Sequence, residues 1–462
     1  MTNFVIEDSS FRDPSGFLFY QDNILYRQIN KSYKEHYEFF IESGLYEELV
    51  KKELMISHEE VKIENKNNNG FIVIKPDIIP LISYPYEWSF SQLKDAALLT
   101  IEIQKIAKKL NMILKDASSY NIQFKNGKPI FIDTLSFEKY IEGEPWKGYK
   151  QFCQHFFAPL ALMSHKDIRL GQLLRIHIDG IPLDLTSKLL PMRTKIAFSL
   201  LTHIHAHAKS QKYYQGKKID VKKNKISSRS LDGVIESLHY GIKKMSWTPE
   251  GTEWGNYYLD TNYSDISFNE KKKIILEFLE KYNPKTVWDL GSNTGIFSRI
   301  ASELGIFTVS FDIDPVAVEK NYRECVNKQE TKILPLLLDL ANPSGNIGWS
   351  NNERLSFVER GPVDAVMALA LIHHLVISNN VPLKKLAKFF SRICNYLVIE
   401  FIPKTDSQIS RLLVTRKDIF TDYTQENFEL EFKNYFTILE STDITESKRT
   451  MYIMEKKKNH EE

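Results

Sequence analysis

The sequence predicts an α/β protein whose C-terminal half folds as a doubly wound parallel sheet, preceded by an α+β domain. From residue 268 onward, helical and strand-like segments alternate, which is the order expected of a parallel sheet with helices on both faces. The strand-like segments are almost continuous apolar runs, as expected when both faces of a sheet are covered. The 462 residues favour two or three domains, and 42% apolar with 26% charged residues are ordinary for a globular protein.

Strand-like segments open the N-terminal region, and helical ones follow. Residues 17–28, "FLFYQDNILYRQ", predict two strands joined by the turn pair Asp22-Asn23. The longest helical pattern covers 89–113, with Ser89 or Ser91 as its N-cap. Further expected elements are a helix over 32–55, a strand over 71–82 interrupted at Pro76, a strand over 129–133, mostly helical structure over 150–210 and a basic linker over 209–230.

The C-terminal region is expected to alternate helices with buried strands. Its predicted strands are "TVWDL" (286–290), "TVSFDI" (308–313), "ILPLLLDL" (333–340), "DAVMALAL" (364–371) and "YLVIEFI" (396–402), with a late pair near "FTILES" (436–441) and "TMYIMEK" (450–456). Its predicted helices cover 269–282, 295–304, 315–327, 382–391 and 407–413. Sheets of this kind bind ligands at the carboxyl ends of their strands, so polar residues there are the candidates for function.

A glycine turn, "DLGSNTG", joins the first of these strands to a helix. Gly291 and Gly295 permit tight backbone geometry and would let backbone N–H groups at the start of the helix approach a ligand closely. The spacing fails the G-x-G-x-x-G fingerprint of dinucleotide sites, and no phosphate-binding G-x-x-x-x-G-K-[ST] occurs. The acid before the turn, Asp289, suits an ammonium group better than a phosphate.

Two more acids follow the next two strands. Asp312 lies 23 residues after Asp289, and an acid about 20 residues beyond such a turn suits a ribose diol. Asp339 ends the third strand and offers an acceptor for an exocyclic amine. Acids at three successive strand ends therefore point to one ligand site on the carboxyl edge of the sheet.

These residues resemble the class I S-adenosylmethionine-dependent methyltransferases over residues 266–455. "DLGSNTG" matches their D-x-G-x-x-x-G motif, and the two later acids match their second-strand and third-strand acids. The resemblance implies a Rossmann-like sheet with S-adenosylmethionine as cofactor and no metal; another doubly wound nucleotide binder is the alternative. By this likeness Asp289, Gly291, Asn293 and Gly295 line the methionine end, Asp312 takes the ribose hydroxyls, and Asp339 and Leu340 flank the adenine.

Methyl transfer to a hydroxyl is helped by a base that removes the proton of the acceptor. His373, the first of two adjacent histidines after the fourth strand, is the first candidate; a structural or cofactor-contacting histidine is the alternative. Glu400, at the end of the fifth strand, is the second candidate. Upstream, "EWGNYYLDTNYS" (253–264) offers Tyr258 and Tyr263 either as a lid over the cofactor or as packing residues.

The N-terminal half carries a second pattern, "LKDASSYNIQFKNGKPIFIDTLSF" (114–137). Asp116, Asn121 and Asp133 reproduce the D-x-x-x-x-N … D spacing of the protein-kinase catalytic loop and its metal-binding acid. Arg27 stands where kinases hold a strand lysine. Residues 1–195 thus resemble a reduced protein-kinase or aminoglycoside-phosphotransferase fold.

The kinase-like pattern departs from its family in three places. No glycine-rich loop precedes Arg27, "LK" replaces the H-R pair, and "DTL" replaces D-F-G. Arginine also differs from lysine at a phosphate contact, because its planar fork differs from a point charge. Two alternatives follow: phosphoryl transfer with ATP and Mg²⁺ at Arg27, Asp116, Asn121 and Asp133, or a non-catalytic binding module.

The whole chain is also similar to a bacterial family labelled nodulation-protein-related. "PYEWSFSQLKDAALLT", "LKDASSYNIQF", "FIDTLSFE", "QFCQHFFAPLAL" and "FIPKTDSQISRLL" carry that likeness along nearly the full length. The expected organisation is a kinase-like domain over 1–195, a helical connector and linker over 196–265, and a methyltransferase domain over 266–462.

Composition and charge bear on the kinds of molecule that the protein is expected to bind. The net charge of +2 predicts neither a nucleic-acid nor a membrane partner. The three cysteines lack a CxxC and are expected to be small buried residues in a reducing, cytoplasmic setting. The histidines of "THIHAHAK" are expected to lie on a solvated helix face rather than to bind zinc. "PMRTK" (191–195) is basic but lacks the aromatic interleaving of a nucleic-acid groove.

The sequence therefore predicts an S-adenosylmethionine-dependent methyltransferase that acts on a hydroxyl of a glycan or a small metabolite. One alternative is a protein methyltransferase or scaffold whose pseudokinase module binds the partner. Another is a bifunctional kinase and methyltransferase.

Overall fold

A computed structural model describes residues 4–63, 69–214, 225–252, 255, 264–413 and 418–458. The chain divides into two compact units: an N-terminal unit of Met1–Thr248 with Gly348–Arg354, and a C-terminal unit of Pro249–Ile347 with Leu355–Glu462. Residues 196–248, expected in the connector, therefore lie in the same compact unit as 1–195. The division of that unit into a kinase-like domain and a connector stays a prediction.

The N-terminal unit contains a five-stranded antiparallel sheet of order β1-β2-β3-β5-β4 and two small two-stranded sheets, β6-β9 and β7-β8. The predicted hairpin is confirmed: Asp22 and Asn23 have φ angles of 52° and 63°, which Asp and Asn tolerate better than most residues. The strands are β1 Phe4–Ile6, β2 Gly16–Gln21, β3 Ile24–Asn30, β4 His58–Val61, β5 Gly70–Pro76, β6 Met112–Leu114, β7 Ile122–Lys125, β8 Lys128–Phe131 and β9 Phe137–Lys139.

Helices form the rest of this unit. The expected single helix over 32–55 is wrong, because Gly44 adopts a left-handed φ of 76° and separates two helices. Ser89 caps the long helix: its side chain accepts from the backbone of Gln92, whose own side chain accepts in return from Ser89 N at 2.9 Å. The helices are α1 Lys34–Glu42, α2 Leu45–Lys51, α3 Phe90–Lys109, α4 Tyr149–Phe152, α5 Ala158–His165, α6 Leu173–Ile176, α7 Leu183–Leu189, α8 Phe198–Leu200, α9 His207–Tyr214 and α10 Ser228–Lys244.

The C-terminal unit is built on a seven-stranded sheet of order β12-β11-β10-β13-β14-β16-β15. The first five strands are parallel, and the β15–β16 hairpin adds an antiparallel edge. The doubly wound sheet expected from the alternation of elements is confirmed. Its strands are β10 Thr286–Leu290, β11 Phe307–Asp312, β12 Ile333–Leu337, β13 Val363–Ala368, β14 Cys394–Phe401, β15 Phe436–Asp443 and β16 Thr450–Lys456.

Both faces of this sheet are covered, which explains the apolar strands. On β10, Val287 packs with Phe278 and Leu279 on one face. Trp288 packs against Phe311 and Phe357 on the other, with ring centroids 5.5 and 4.8 Å away. The helices are α11 Asp265–Tyr282, α12 Ile296–Glu303, α13 Pro315–Lys328, α14 Leu383–Ile393, α15 Ser407–Leu413 and α16 Gln425–Lys433.

Two expectations drawn from composition can be compared with the structure. The cysteines Cys153, Cys325 and Cys394 are free and buried, as expected. Among the described residues, none of the helices combines the length and the apolar character that crossing a bilayer requires.

Candidate functional site

The glycine turn after β10 is tightly enclosed. Gly291 and Gly295 have φ angles of 75° and 79°, in the left-handed region that favours glycine. A Cβ on Gly295 would lie 2.6 Å from Nδ2 of Asn321, and one on Gly291 would lie 3.2 Å from Cδ1 of Leu371. Asn293, between the two glycines, is also left-handed, with φ of 50°. A side chain at position 295 would therefore collide with Asn321, and one at position 291 would crowd Leu371.

Asp289 lies at the base of this turn and is only 2% exposed. Its carboxylate accepts a hydrogen bond from Ser298 Oγ at 2.6 Å. The pKa of Asp289 is raised to about 7, mainly by burial; the neighbouring Asp312 carboxylate adds to the shift and the Ser298 hydroxyl opposes it. The site thus holds an acid whose ionisation would be favoured by a cation placed beside it.

Asp312, the last residue of β11, faces the same turn. Its two oxygens accept backbone hydrogen bonds from Asn293 at 2.7 Å and from Asp314 at 2.8 Å. Burial raises the pKa of Asp312 to about 6, since these backbone donors only partly offset the desolvation. The backbone of Ile313 also donates to this carboxylate. Since an ionised carboxylate has about four acceptor positions, about one remains for a ligand.

Asp339 lies two residues beyond β12 and is half-buried. Its side chain accepts from the backbone of Ala341 at 2.9 Å, and its neighbour Leu340 is also half-buried. The backbone N–H of Leu338 donates to the carbonyl of Asp312 at 2.8 Å, which holds this segment beside the end of β11. The acids predicted from three successive strands therefore do lie at one edge of the sheet.

His373 follows β13 and is 3% exposed. Its Nδ1 has no hydrogen-bond partner within the described part of the chain, and its ring centroid lies 4.1 Å from that of His374. Burial holds the pKa of His373 well below its usual value, and the neighbouring His374 and Arg449 act in the same direction. The ring is therefore neutral near pH 7, its Nδ1 can form a hydrogen bond with a ligand, and burial disfavours its protonated form.

Glu400 belongs to a fully buried ion-pair cluster. Its carboxylate accepts from Lys271 Nζ and from the backbone of Ala370, both at 2.8 Å. Arg449 lies 3.7 Å from the other oxygen and also donates to Asp406 at 2.8 Å. Such pairing favours a positioning role for Glu400 over proton transfer.

Sequence reasoning missed Lys271, because it sits in the run Lys271–Lys273, which resembles a solvated helix face. A signal was present: Ile275, Phe278 and Leu279 share its helical face and are buried in the core. A lysine on an apolar face indicates a buried partner.

A polar cavity of about 450 Å³ opens in the C-terminal unit beside this cluster. Asp406 and Arg449, which form an ion pair, contribute to its wall. Its volume lies in the range of small-molecule sites. The lining residues are Ser267, Thr405, Asp406, Ser407, Glu446, Ser447, Lys448 and Arg449.

The kinase-like residues of the N-terminal unit come together around Ser136. Arg27 forms an ion pair with Asp133 at 2.5 Å, and Ser136 Oγ donates to the same carboxylate. Asn121 Nδ2 donates to Ser136 Oγ at 3.1 Å, and the backbone N–H of Asp116 approaches the Ser136 carbonyl at 3.5 Å. Four residues spread over more than a hundred positions therefore form one cluster.

The pKa values of the two acids in this cluster, Asp116 and Asp133, shift in opposite directions. Burial would raise the pKa of Asp133, but Arg27 and Ser136 outweigh it and the pKa is lowered. Burial raises the pKa of Asp116, and the Asp133 carboxylate adds to the shift.

The expectation of a solvated histidine face is wrong. His203 and His205 are 1% and 3% exposed, within a π-helical turn, Leu201–Ala206. Both ring nitrogens of His203 are hydrogen-bonded, to Tyr149 at 2.8 Å and Ser237 at 2.9 Å. Alternation in "THIHAHAK" carried no signal for these partners, which lie far away in sequence.

The candidate lid residues Tyr258 and Tyr263 lie outside the described residues.

Comparison with known proteins gives the family. No family model matches the chain. The nodulation protein NoeA of Rhizobium meliloti (strain 1021) is 34% identical over 457 residues, which cover 97% of this chain and 95% of that protein. The chain belongs to the NoeA family. The likeness to nodulation-related proteins seen in the sequence is thereby confirmed.

Solved structures similar to this NoeA-family chain are far more distant. The magnesium protoporphyrin IX methyltransferase ChlM from Synechocystis PCC 6803, with bound SAH, is 15% identical with a TM-score of 0.32, over 44% of this chain and 93% of ChlM. The bifunctional kinase-methyltransferase WbdD is 15% identical with a TM-score of 0.28, over 42% of this chain and 40% of WbdD. The PH0226 protein from Pyrococcus horikoshii OT3 is 18% identical with a TM-score of 0.33, over 45% of this chain and 100% of that one. TM-scores this low do not establish a shared fold.

Proposed function

We propose that the C-terminal unit of this NoeA-family protein is an S-adenosylmethionine-dependent methyltransferase. The observation that carries the proposal is the pair Asp289 and Asp312, two buried acids on adjacent parallel strands around one glycine turn. A cationic ligand with a ribose satisfies both: the cation offsets the desolvation of one carboxylate, and hydroxyls donate to the other. A phosphate would instead be repelled.

The residues present fit this cofactor. Asp289 and the turn Gly291–Gly295 would hold the amino-acid end, where the glycines leave the backbone open. Asp312 would hold the ribose through its remaining acceptor position, while Asp339 and Leu340 would flank the adenine. When bound, S-adenosylmethionine supplies an electrophilic methyl group on a positively charged sulfur.

The chain supplies a base and its support. His373 Nδ1 has no hydrogen-bond partner within the described part of the chain, so in this proposal it accepts a hydrogen bond from the acceptor hydroxyl and takes its proton. Because burial disfavours the protonated ring, the histidine passes this proton on rather than retaining it. Glu400 accepts from the backbone of Ala370, three residues before His373, and so fixes the loop that carries the histidine. Glu400 acts as a positioning residue in this proposal, although the sequence made it a candidate base.

The acceptor in this proposal is a hydroxyl-rich small molecule or glycan. The polar cavity beside Arg449 is lined by hydroxyl, carboxylate and cationic side chains, which suit a polyhydroxylated molecule. The ion pairs connect the cavity wall to the loop before His373: Arg449 pairs with Glu400, and Glu400 holds Ala370. A protein acceptor is the rival.

A methyl-transfer assay tests both the methyltransferase activity and the class of acceptor. Purified protein is incubated with methyl-labelled S-adenosylmethionine and fractions of a bacterial extract. Label should enter the glycan and low-molecular-weight fractions, and His373→Ala should slow the transfer by about 10²–10⁴. Label that enters only the protein fraction would replace the glycan acceptor with the rival, and no transfer to any fraction would count against the methyltransferase itself.

A second function is favoured by the cluster around Ser136. We propose that Arg27, Asp116, Asn121 and Asp133 bind a nucleotide with Mg²⁺, because two acids and an amide with a nearby cation suit a metal–phosphate complex. The metal would have to compete with Arg27 for Asp133. ATP with Mg²⁺ should raise the melting temperature of the wild type but not that of Asp133→Ala. If the melting temperature of the wild type does not change, nucleotide binding is ruled out and the alternative is a non-catalytic module that binds a partner.

A further inference from the structure

A surface of the N-terminal unit exposes an unusual number of large apolar side chains. Met192, Ile196, Phe198 and Leu201 are 73%, 87%, 73% and 41% exposed. All four fall within ten residues, whereas single exposed apolar residues are normal and need no explanation. We call these residues, together with Arg193 and Lys195, the 192–201 surface.

The 192–201 surface is held in place from beneath. Thr194, at the centre of the 3-10 turn Met192–Ile196, is 3% exposed. Its hydroxyl donates to the Pro191 carbonyl at 2.6 Å and contacts His205 Nε2 at 2.9 Å. Since the buried threonine anchors the turn, its neighbours on both sides are presented to solvent. Phe198 and Leu201 follow three residues apart, on one face of the next helical turn.

The stretch of sequence that contains this surface carries charge of one sign. Arg193 and Lys195 are exposed, and Lys195 Nζ lies 3.3 Å from Met192 Sδ, so cation and apolar side chain are adjacent. Between Asp184 and Asp220 the sequence contains no acid. It contains the cations Lys188, Arg193, Lys195, Lys209, Lys212, Lys217 and Lys218.

We propose that the 192–201 surface docks on the interfacial region of an anionic lipid bilayer. Protruding apolar side chains flanked by cations provide the two signals that peripheral membrane binding needs, insertion and attraction to acidic headgroups. A nucleic acid would require aromatic stacking and a longer basic track. The net charge of +2 argued against a membrane partner only because the average over the chain conceals this local segregation.

Vesicle co-sedimentation of the full chain tests the proposal. The protein should pellet with vesicles of phosphatidylcholine and phosphatidylglycerol, not with phosphatidylcholine alone, and high salt should weaken the binding. The double variant Ile196→Ser/Phe198→Ser should bind roughly tenfold more weakly or worse. Lys195→Gln should bind about fivefold more weakly, from the usual contribution of one cation near an anionic surface.

The matched control is Ile78→Ser, which removes an apolar residue that is 60% exposed elsewhere in the same unit. It should bind like the wild type. Since the substituted side chains are exposed, the melting temperatures should stay unchanged, and Arg193→Gln/Lys195→Gln tests the surface without touching its apolar residues. A wild type that stays in the supernatant with anionic vesicles, or a double serine variant that pellets like the control, overturns the proposal.

Discussion

The ammonium of Lys271 lies 2.8 Å from the carboxylate of Glu400, and both side chains are 1% exposed or less. Breaking a buried pair by removing one partner leaves an uncompensated charge, which costs about 3–5 kcal/mol. Lys271→Met should therefore lower the free energy of unfolding by about that amount in urea denaturation. The control Lys273→Met changes an exposed lysine of the same helix and should have little effect; equal effects of the two would show that the buried pair does not stabilise the unit.

A comparison of Gly295 with Gly305 separates the cost of a side-chain collision from the cost of backbone strain. Gly295 and Gly305 have φ angles of +79° and +81°. A Cβ on Gly305 would meet no atom of the described residues within 4 Å, whereas one on Gly295 would collide with Asn321. Gly305→Ala should cost about 1 kcal/mol from strain alone. Gly295→Ala should cost more and should also abolish binding of S-adenosylmethionine. Equal losses in thermal unfolding would contradict the enclosure of the turn.

Binding of the cofactor should depend on pH because the pKa values of two acids in the site are raised. The folded pKa values of Asp289 and Asp312 are about 7 and about 6, above the ordinary 3.8. A raised carboxyl pKa means that the folded state binds the proton more tightly, so this contribution to stability is full below about pH 4 and is lost as pH rises to 7. Without ligand, the protein should lose stability over that window, and Asp312→Asn should reduce the loss.

The same groups predict proton release on binding. A cation beside Asp289 favours its ionised form, so S-adenosylmethionine should bind more tightly as pH rises towards 7 and reach a plateau above it. Titration calorimetry in two buffers of different ionisation enthalpy should show protons released at pH 6 and few at pH 8. The same affinity at both pH values would place the cation away from Asp289.

His373 and His374 should differ in role. His373→Ala should lower the rate of methyl transfer by about 10²–10⁴, the usual contribution of a general base, while leaving the affinity for S-adenosylmethionine unchanged. His374→Ala is the matched control, since its ring lies 4.1 Å from that of His373, and it should retain most of the activity. A loss of cofactor affinity in His373→Ala would instead make this histidine a cofactor contact.

Local pattern predicted much of the C-terminal sheet. β10 and β11 were expected from apolar runs that end at Asp289 and Asp312, because strands buried on both faces need apolar residues throughout and their polar ends mark the ligand edge. The spacing of Asp116, Asn121 and Asp133 predicted residues that do form one cluster.

What was missed depends on distant partners. Lys271 and Arg449 meet Glu400 from opposite parts of the chain, and no local spacing encodes such a pairing. His203 is buried by Tyr149 and Ser237, which sequence periodicity could not supply. The break at Gly44 was overlooked because the apolar spacing continues across it, although the backbone turns left-handed there.

The account rests on carboxylates at neighbouring strand ends that hold S-adenosylmethionine, and titration calorimetry with Asp289→Ala tests it most directly. The control variant is Asp364→Asn, because Asp364 accepts hydrogen bonds from the backbone of Lys285 and Thr286 at the other end of the strands. Wild type and this control should bind S-adenosylmethionine and its demethylated product with one-to-one stoichiometry. Asp289→Ala should show no binding. Absence of binding heat in the wild type, or equal affinity in wild type and Asp289→Ala, would contradict it.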